Sequence, residues 1–270
     1  MIHLRSVTFR PPAARQRTEW PFTVPVIAEW SVPLEFKHPV TFLVGENGCG
    51  KSTLLEGIAC HAGLPAAGRE ELDRDSSLAK MRGLAKCLKA TWNQRSHRGF
   101  FLRAEDFFGF VQRMGAMAQS LRADLEEVER TYAGRSAAAR MYARMPYASE
   151  LHGITERYGG DMDAQSHGEG FLAFFQARFV PDGLYLLDEP ETPLSPLRQL
   201  GLLSLLREMV EERGAQFVIS THSPILMAYP GATILSLDEA PWQQVAWDEL
   251  EHVRLTRSFL NNPSTYTKHL

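Results

Sequence analysis

The sequence predicts an α/β fold in which a mostly parallel sheet carries an inserted helical lobe. Three observations predict it. Short apolar, β-branched runs alternate with a helix-length segment in the C-terminal half of the chain. One such run, early in the chain, leads directly into a glycine-rich loop that ends in Lys-Ser. Between these regions lies a long stretch of helical periodicity.

Val40–Val44 (VTFLV) is stopped by Gly45 and predicts a buried strand, with a helix over Thr53–Cys60 after it. Leu184–Leu187, Gln216–Ser220 and Thr233–Leu237 predict further strands. Leu197–Arg213 is long enough for a helix, with Ser195 as its cap, Pro196 in its first turn and Gly214 as its stop. Strand, helix and strand in that order imply parallel strands joined by a crossover.

In Asp106–Tyr132, Phe107, Phe110, Val111, Met114, Met117 and Leu121 recur at three- and four-residue steps, as in an amphipathic helix. Methionines and aromatics at that spacing read as core. Gly134–Arg144 continues the pattern with alanine and arginine, and Tyr158–Asp163 (YGGDMD) reads as a loop. The expected organisation is a single domain over 1–270. Its core comprises 1–103 and 166–270, and its helical lobe spans roughly 104–165.

The bulk properties are those of a soluble globular chain. The formal net charge of -3 gives no global signal for nucleic acid. Cys49, Cys60 and Cys87 fit neither a zinc pattern nor a disulfide framework, so a reducing, cytoplasmic compartment is expected. Met1–Arg17 lacks the apolar core of a signal peptide, and no run reaches bilayer-spanning length, so no direct membrane insertion is expected.

Gly45-Glu-Asn-Gly-Cys-Gly50-Lys51-Ser52 matches G-x4-G-K-[ST]. Glycines let main-chain N–H groups converge on phosphate oxygens, and the following helix N-terminus adds positive potential. Lys51 is expected to reach β- and γ-phosphates, and Ser52 to ligate Mg²⁺. Gly45, Asn47, Gly48, Gly50 and Thr53 complete the candidate nucleotide contacts. The bland alternative is a glycine turn before a helix. A strand before and a helix after the loop argue for phosphate.

Leu184-Tyr-Leu-Leu-Asp188-Glu189-Pro190 places two carboxylates at a strand end. Alone they would read as a solvated turn. Beside a phosphate loop, Asp188 is expected to hold Mg²⁺ through water, and Glu189 to orient or deprotonate the attacking water.

With these motifs the sequence resembles the ABC-type ATPase superfamily, whose strand-end aspartate is followed by a catalytic glutamate and whose next strand is followed by a histidine. His222, in Thr221-His222-Ser223-Pro224, looks like that switch histidine. The resemblance implies a P-loop ATPase head with a mixed or parallel core sheet, an N-terminal β subdomain and the inserted lobe. Ser166-His167-Gly168-Glu169-Gly170 resembles the signature segment, by which Ser166, Gly168 and Gly170 would cover a γ-phosphate held by a second subunit. Ser166 and Glu169 also have capping-box spacing, so a well-capped helix is the plain reading. His167 and Glu169 depart from the usual L-S-G-G-Q and are more similar to soluble SMC/RecF-type ATPases than to transport ATPases.

The chain is most similar to compact bacterial ABC-type ATPases that share Gly45–Glu56, Arg103–Glu105, Gln165–Glu169, Leu187–Glu191 and Thr221–Pro224. The resemblance implies ATP and Mg²⁺ as cofactors and an ATP-dependent homodimer. No glutamine stands where the superfamily has one after an edge strand. Arg103 or Glu105 occupies that place, with a plain ion pair as the alternative. An aromatic upstream would stack on adenine, and Trp20 and Phe22 are candidates against a core role.

The segment Arg74–Arg103 is strongly basic, with Trp92 and Phe100 interleaved. It reads as a DNA-backbone face, a solvated edge or a docking surface for an acidic partner. The arginines from Arg113 to Arg144 are mixed with Glu126, Glu127 and Glu129 and read as helical ion pairs. Three outputs follow: a soluble ATPase of DNA repair, maintenance or phage defence with a separate effector protein, a transporter ATPase subunit, or a regulatory switch for a protein partner.

Overall fold

Two sheets organise the computed structural model, which describes residues 1–67, 79–158 and 167–268. In the smaller, β1 (Leu4–Phe9) lies antiparallel between β2 (Leu34–Glu35) and β4 (Leu88–Trp92). The larger contains β3 (Val40–Val44), β5 (Gly99–Arg103), β6 (Leu184–Asp188), β7 (Gln216–Ser220), β8 (Thr233–Ser236) and β9 (Gln243–Gln244). Their order is β5-β6-β7-β3-β8-β9, parallel from β5 to β8, with β9 antiparallel at the edge. The expected mixed sheet and N-terminal β unit are both present.

The central strands are buried at every position because both faces are covered. Successive side chains enter opposite cores. Phe42, Tyr185, Leu187, Phe217 and Ile219 face one core, shared with α6 (His167–Arg178) and α7 (Pro196–Glu211). Leu43, Leu184, Leu186 and Val218 face the other, shared with α2 (Lys51–Ala62) and α3 (Ala79–Lys86). In the first core Phe100, Phe174, Phe175, Phe179, Tyr185 and Phe217 form a continuous set of ring contacts with centroids 4.5–6.0 Å apart. Such pairs add about 0.5–1.5 kcal/mol each beyond burial. The Tyr185 hydroxyl donates to the Val180 carbonyl at 2.9 Å and accepts its amide at 2.6 Å. Burial pushes that phenol up to about 12.

The α7 helix begins after Ser195, but the Ser195 side chain makes no capping hydrogen bond, contrary to expectation. Its backbone carbonyl instead accepts the Arg198 and Gln199 amides at 2.9 and 3.0 Å. Nor does the long helix run on through Gly134. Ala104–Thr131 forms α4, the chain turns, and Ala137–Tyr158 forms α5 packed beside it. Ser136 Oγ accepts the Ala139 amide at 3.2 Å and so starts a new helix. The expected ion pairs therefore act partly between helices: Glu129 takes Arg144 at 3.0 Å and Arg140 at 3.9 Å, while Arg130 pairs with Glu127 on its own helix.

Gln216 joins the two sheets. Its buried Oε1 accepts the His3 and Leu4 amides, both at 2.8 Å, and its Nε2 donates to the Leu4 carbonyl at 2.9 Å. Gln216→Ala orphans two buried donors and an acceptor, and is expected to cost about 3 kcal/mol. Urea unfolding will show it as a lower midpoint with an unchanged slope.

Candidate functional site

The phosphate loop begins where β3 ends. Gly48 and Gly50 have φ of 89° and 109°, in the left-handed region that favours glycine. A Cβ on Gly50 would lie 2.4 Å from Val24 Cγ1 and 2.6 Å from Val26 Cγ1, because α1 (Pro25–Ala28) and the residue before it pack against the loop. Lys51 opens α2 and is 5 % exposed. Its ammonium donates to the Gly45 and Glu46 carbonyls at 2.6 and 3.1 Å. Gly45, Asn47 and Gly48 lie in the loop, while Ser52 and Thr53 lie in the first turn of α2. Asp238, just past β8, holds the loop from outside by accepting the Glu46 amide at 2.6 Å.

Register brings the acidic strand end to this loop. Arg103 of β5 is opposite Asp188 of β6, which is opposite Ser220 of β7, which is opposite Leu43 of β3. Asp188 accepts the Ser220 hydroxyl and is hydrogen-bonded to the Ser52 side chain. Burial pushes the Asp188 carboxyl above its ordinary value, against those hydrogen bonds and the nearby Arg103 charge, with Glu189 adding to the rise. Ser52 and Asp188 are hard oxygen donors held together, a pair that fits Mg²⁺.

Glu189 follows with φ of 50°, a strained value for a residue with a side chain. Its amide donates to the Ser220 carbonyl at 3.0 Å. His222 leaves the end of β7, and its Nε2 lies 3.9 Å from Glu189 Oε1. Ser52, Asp188 and Glu189 line a cavity of about 380 Å³ together with Glu56, Arg103 and Glu105. Arg103 and Glu56 form an ion pair at 2.6 Å, each side chain only 12–13 % exposed. Burial raises the Glu56 carboxyl above its ordinary value, opposed by Arg103.

Ser166 lies outside the described residues. Gly168 and Gly170 fall in the first turn of α6, remote in sequence from the phosphate loop. Phe22 packs at the edge of the second core and stacks with Phe9 at 6.4 Å, whereas Trp20 is exposed with Lys80 Nζ 5.7 Å from its ring centroid. The basic segment needs correction. Arg103 is turned inward to Glu56, Phe100 is 6 % exposed within the ring cluster, and Trp92 is half-buried against the second core. These three are therefore withdrawn from any stacking or backbone-binding face. Lys80, Lys86, Lys89, Arg95 and Arg98 remain exposed, and Arg74 lies outside the described residues.

Sequence reading gave no role to Ser220, Asp238 or Glu191. Ser220 could have been found by aligning the ends of neighbouring parallel strands. Asp238 lies just past the end of β8, near the place that Asp188 holds at the end of β6. Glu191 Oε1 accepts the His222 amide at 2.7 Å, a contact with no local signal.

A family model described as "AAA domain, putative AbiEii toxin, Type IV TA system" matches residues 66–228, more than half of the chain. The chain belongs to this family of AAA domains. A second AAA-domain model matches residues 28–63, which include the phosphate loop. Among curated proteins, this AAA domain is similar to the ribose import ATP-binding protein RbsA 2 of Burkholderia ambifaria, 29% identical over 192 residues. That match takes in 67% of the chain but only 33% of the relative, so the chain spans about a third of its length. Among solved structures, cbiO1 of Clostridium perfringens, part of the ABC transporter complex cbiONQ, aligns with TM-score 0.46 and 16% identity, covering 98% of each chain. The Smc head domain of Pyrococcus furiosus aligns with TM-score 0.45 and 13% identity, covering 97% of this chain and 99% of that one. The AAA-domain assignment agrees with the α/β sheet and with the glycine-rich loop that leaves β3. Among the described residues, no helix is long and apolar enough to cross a membrane.

The raised carboxyl of Asp188 has a consequence for stability. A group whose folded pKa lies above its unfolded value favours the fold at low pH, and that contribution is lost as pH rises through the folded pKa. Asp188→Asn is therefore expected to raise the melting temperature at pH 7. The gain should shrink as pH falls and the wild-type carboxyl takes up its proton. Thermal melts of the nucleotide-free protein between pH 4 and 8 check this.

Proposed function

We propose that this AAA domain binds Mg-ATP and hydrolyses it, closing head to tail as a homodimer around two nucleotides. The observation that carries the reading is the junction of the phosphate loop with the acidic strand end, where the Ser52 and Asp188 side chains are hydrogen-bonded beside Glu189. Main-chain amides of Gly45, Asn47, Gly48 and Gly50 bind phosphate oxygens, with Lys51 exchanging its loop carbonyls for the β- and γ-phosphates. Thr53, in the first turn of α2, adds its own amide and hydroxyl. Ser52 and Asp188 would hold Mg²⁺, Asp188 by way of water, and the bound ion would neutralise charge on the transferred phosphoryl group. Glu189 accepts a proton from the attacking water or orients it, and His222 contacts the γ-phosphate.

Ser166, Gly168 and Gly170 of the second copy complete the site at a helix N-terminus suited to an anion. Only ATP bridges both surfaces, so hydrolysis weakens the interface. Trp20, the exposed member of the aromatic pair, stacks on adenine. The proposed setting is cytoplasmic, in DNA repair, maintenance or phage defence with a separate effector protein. The exposed Lys80, Lys86, Lys89, Arg95 and Arg98 support a DNA contact. The ribose-import relative favours a second reading, as the ATPase subunit of a transporter. Copurification with an integral membrane protein would select that reading, and DNA-stimulated turnover the first.

Lys51→Ala is expected to weaken ATP binding at least about 10-fold, equal to about 1.4 kcal/mol, measured by titration calorimetry with magnesium. Glu189→Gln is expected to bind ATP like wild type, to lose about 100-fold or more in turnover, and to accumulate as a dimer in saturating Mg-ATP. Light scattering that finds this variant monomeric under those conditions rejects the closed-dimer mechanism.

A further inference from the structure

We infer that Glu191 is a positioning residue, whose carboxylate holds the His222 peptide so that the imidazole meets Glu189. This rests on the function proposed above and deepens it.

The β6–β7 ladder ends at Asp188 and Ser220. Past that rung both chains leave the sheet, and two tethers take over. The Glu189 amide donates to the Ser220 carbonyl at 3.0 Å. Two residues on, the Glu191 carboxylate reaches back across the gap and accepts the His222 amide at 2.7 Å. A side-chain oxygen thus supplies a rung that the backbone cannot. The turn presenting it is closed on itself, with the Thr192 amide on the Glu189 carbonyl at 3.1 Å and the Leu194 amide on the Glu191 carbonyl at 2.8 Å. On the other side, Ser223 follows His222 directly and caps α8 (Pro224–Met227) by accepting the Leu226 amide at 3.1 Å. Ser223 also donates to the Gln199 side chain of α7. The His222 backbone is therefore fixed from both sides while its ring is left exposed.

This arrangement distinguishes Glu191 from its neighbours. Asp188 and Glu189 face the cavity that includes Ser52, whereas Glu191 does not line it. Its Oε2 is sealed from solvent. Burial pushes its carboxyl above the ordinary range, against hydrogen bonds from the Thr221 side chain and the His222 amide. A carboxylate set in this way acts by reach and geometry. Because Glu189 and Glu191 share one short turn, motion of that turn carries the water-handling acid and the histidine together.

The test uses the full chain and steady-state ATP hydrolysis, with nucleotide affinity measured separately. Glu191→Asp keeps the charge but withdraws the oxygen by one methylene, and is expected to lower kcat about 10-fold or more with KM and ATP affinity little changed. Glu191→Gln keeps the reach and loses the charge, and is expected to stay within about 3-fold of wild type because its carbonyl oxygen still accepts the amide. In a His222→Ala background, Glu191→Asp should cause no further loss of residual turnover. Glu191→Asn gives the same shortening without a charge, should Glu191→Asp fold poorly. An active wild type with Glu191→Asp unchanged overturns this inference alone. So does Glu191→Gln falling as far as Glu191→Asp, or a full additional loss in the His222→Ala background. A folded wild type that hydrolyses no ATP overturns the proposed function and this inference together.

Discussion

The in-register parallel pairing of β5, β6, β7 and β3 is the constraint on which the rest of the molecule depends. Parallel strands deliver their C-terminal ends to one edge of the sheet, and loops leaving that edge meet there. Arg103, Asp188 and Ser220 occupy one row across β5, β6 and β7, and β3 turns into the phosphate loop beside them. A slip of one residue in β6 would send the Asp188 side chain to the other face of the sheet. The apolar side chains of β6 and β7 resist such a slip, because each of them already fits one of two cores.

Several carboxylates are held at this edge against their own preference for water. Burial raises Asp188, Glu56 and Glu191, and Arg103 is the cation that opposes the rise for both Asp188 and Glu56. Desolvated acids of this kind cost folding free energy and are sustained by the cores on either side. The same desolvation strengthens their interaction with any cation or developing charge brought into the cavity. The strained backbone of Glu189 belongs to the same pattern, a local cost located at the candidate reaction centre.

The lobe is attached to this edge by packing. Phe107 and Phe110 at the start of α4 touch Phe171 and Phe174 of α6, with centroids 4.4–5.6 Å apart. Those rings continue into the cluster around Tyr185 on β6. Through Phe100, α6 is thus packed onto the strand that carries Asp188. Further out, the α4–α5 hairpin is held by Glu129 and its two arginines, exposed contacts worth little individually. The lobe is accordingly firm at its root and weakly tied at its tip.

The sequence by itself determined the local elements and the chemistry they carry. Apolar runs marked β3, β6, β7 and β8, glycine spacing marked the phosphate loop, and paired acids marked the end of β6, because each is encoded within a few consecutive residues. The turn at Gly134 was missed, since the charged helix formers before it and the alanine-rich segment after it have the same helical character. Long-range matters were decided by tertiary structure alone. The strand order, the rows that pair Asp188 with Ser220 and Arg103, and the bridges made by Gln216 and Glu191 join residues separated by up to more than two hundred positions. So did the inward turn of Arg103 and Phe100, which composition had placed on a basic surface. Such contacts depend on which side chains two cores bring within hydrogen-bonding reach, a distance condition that periodicity along one chain does not contain.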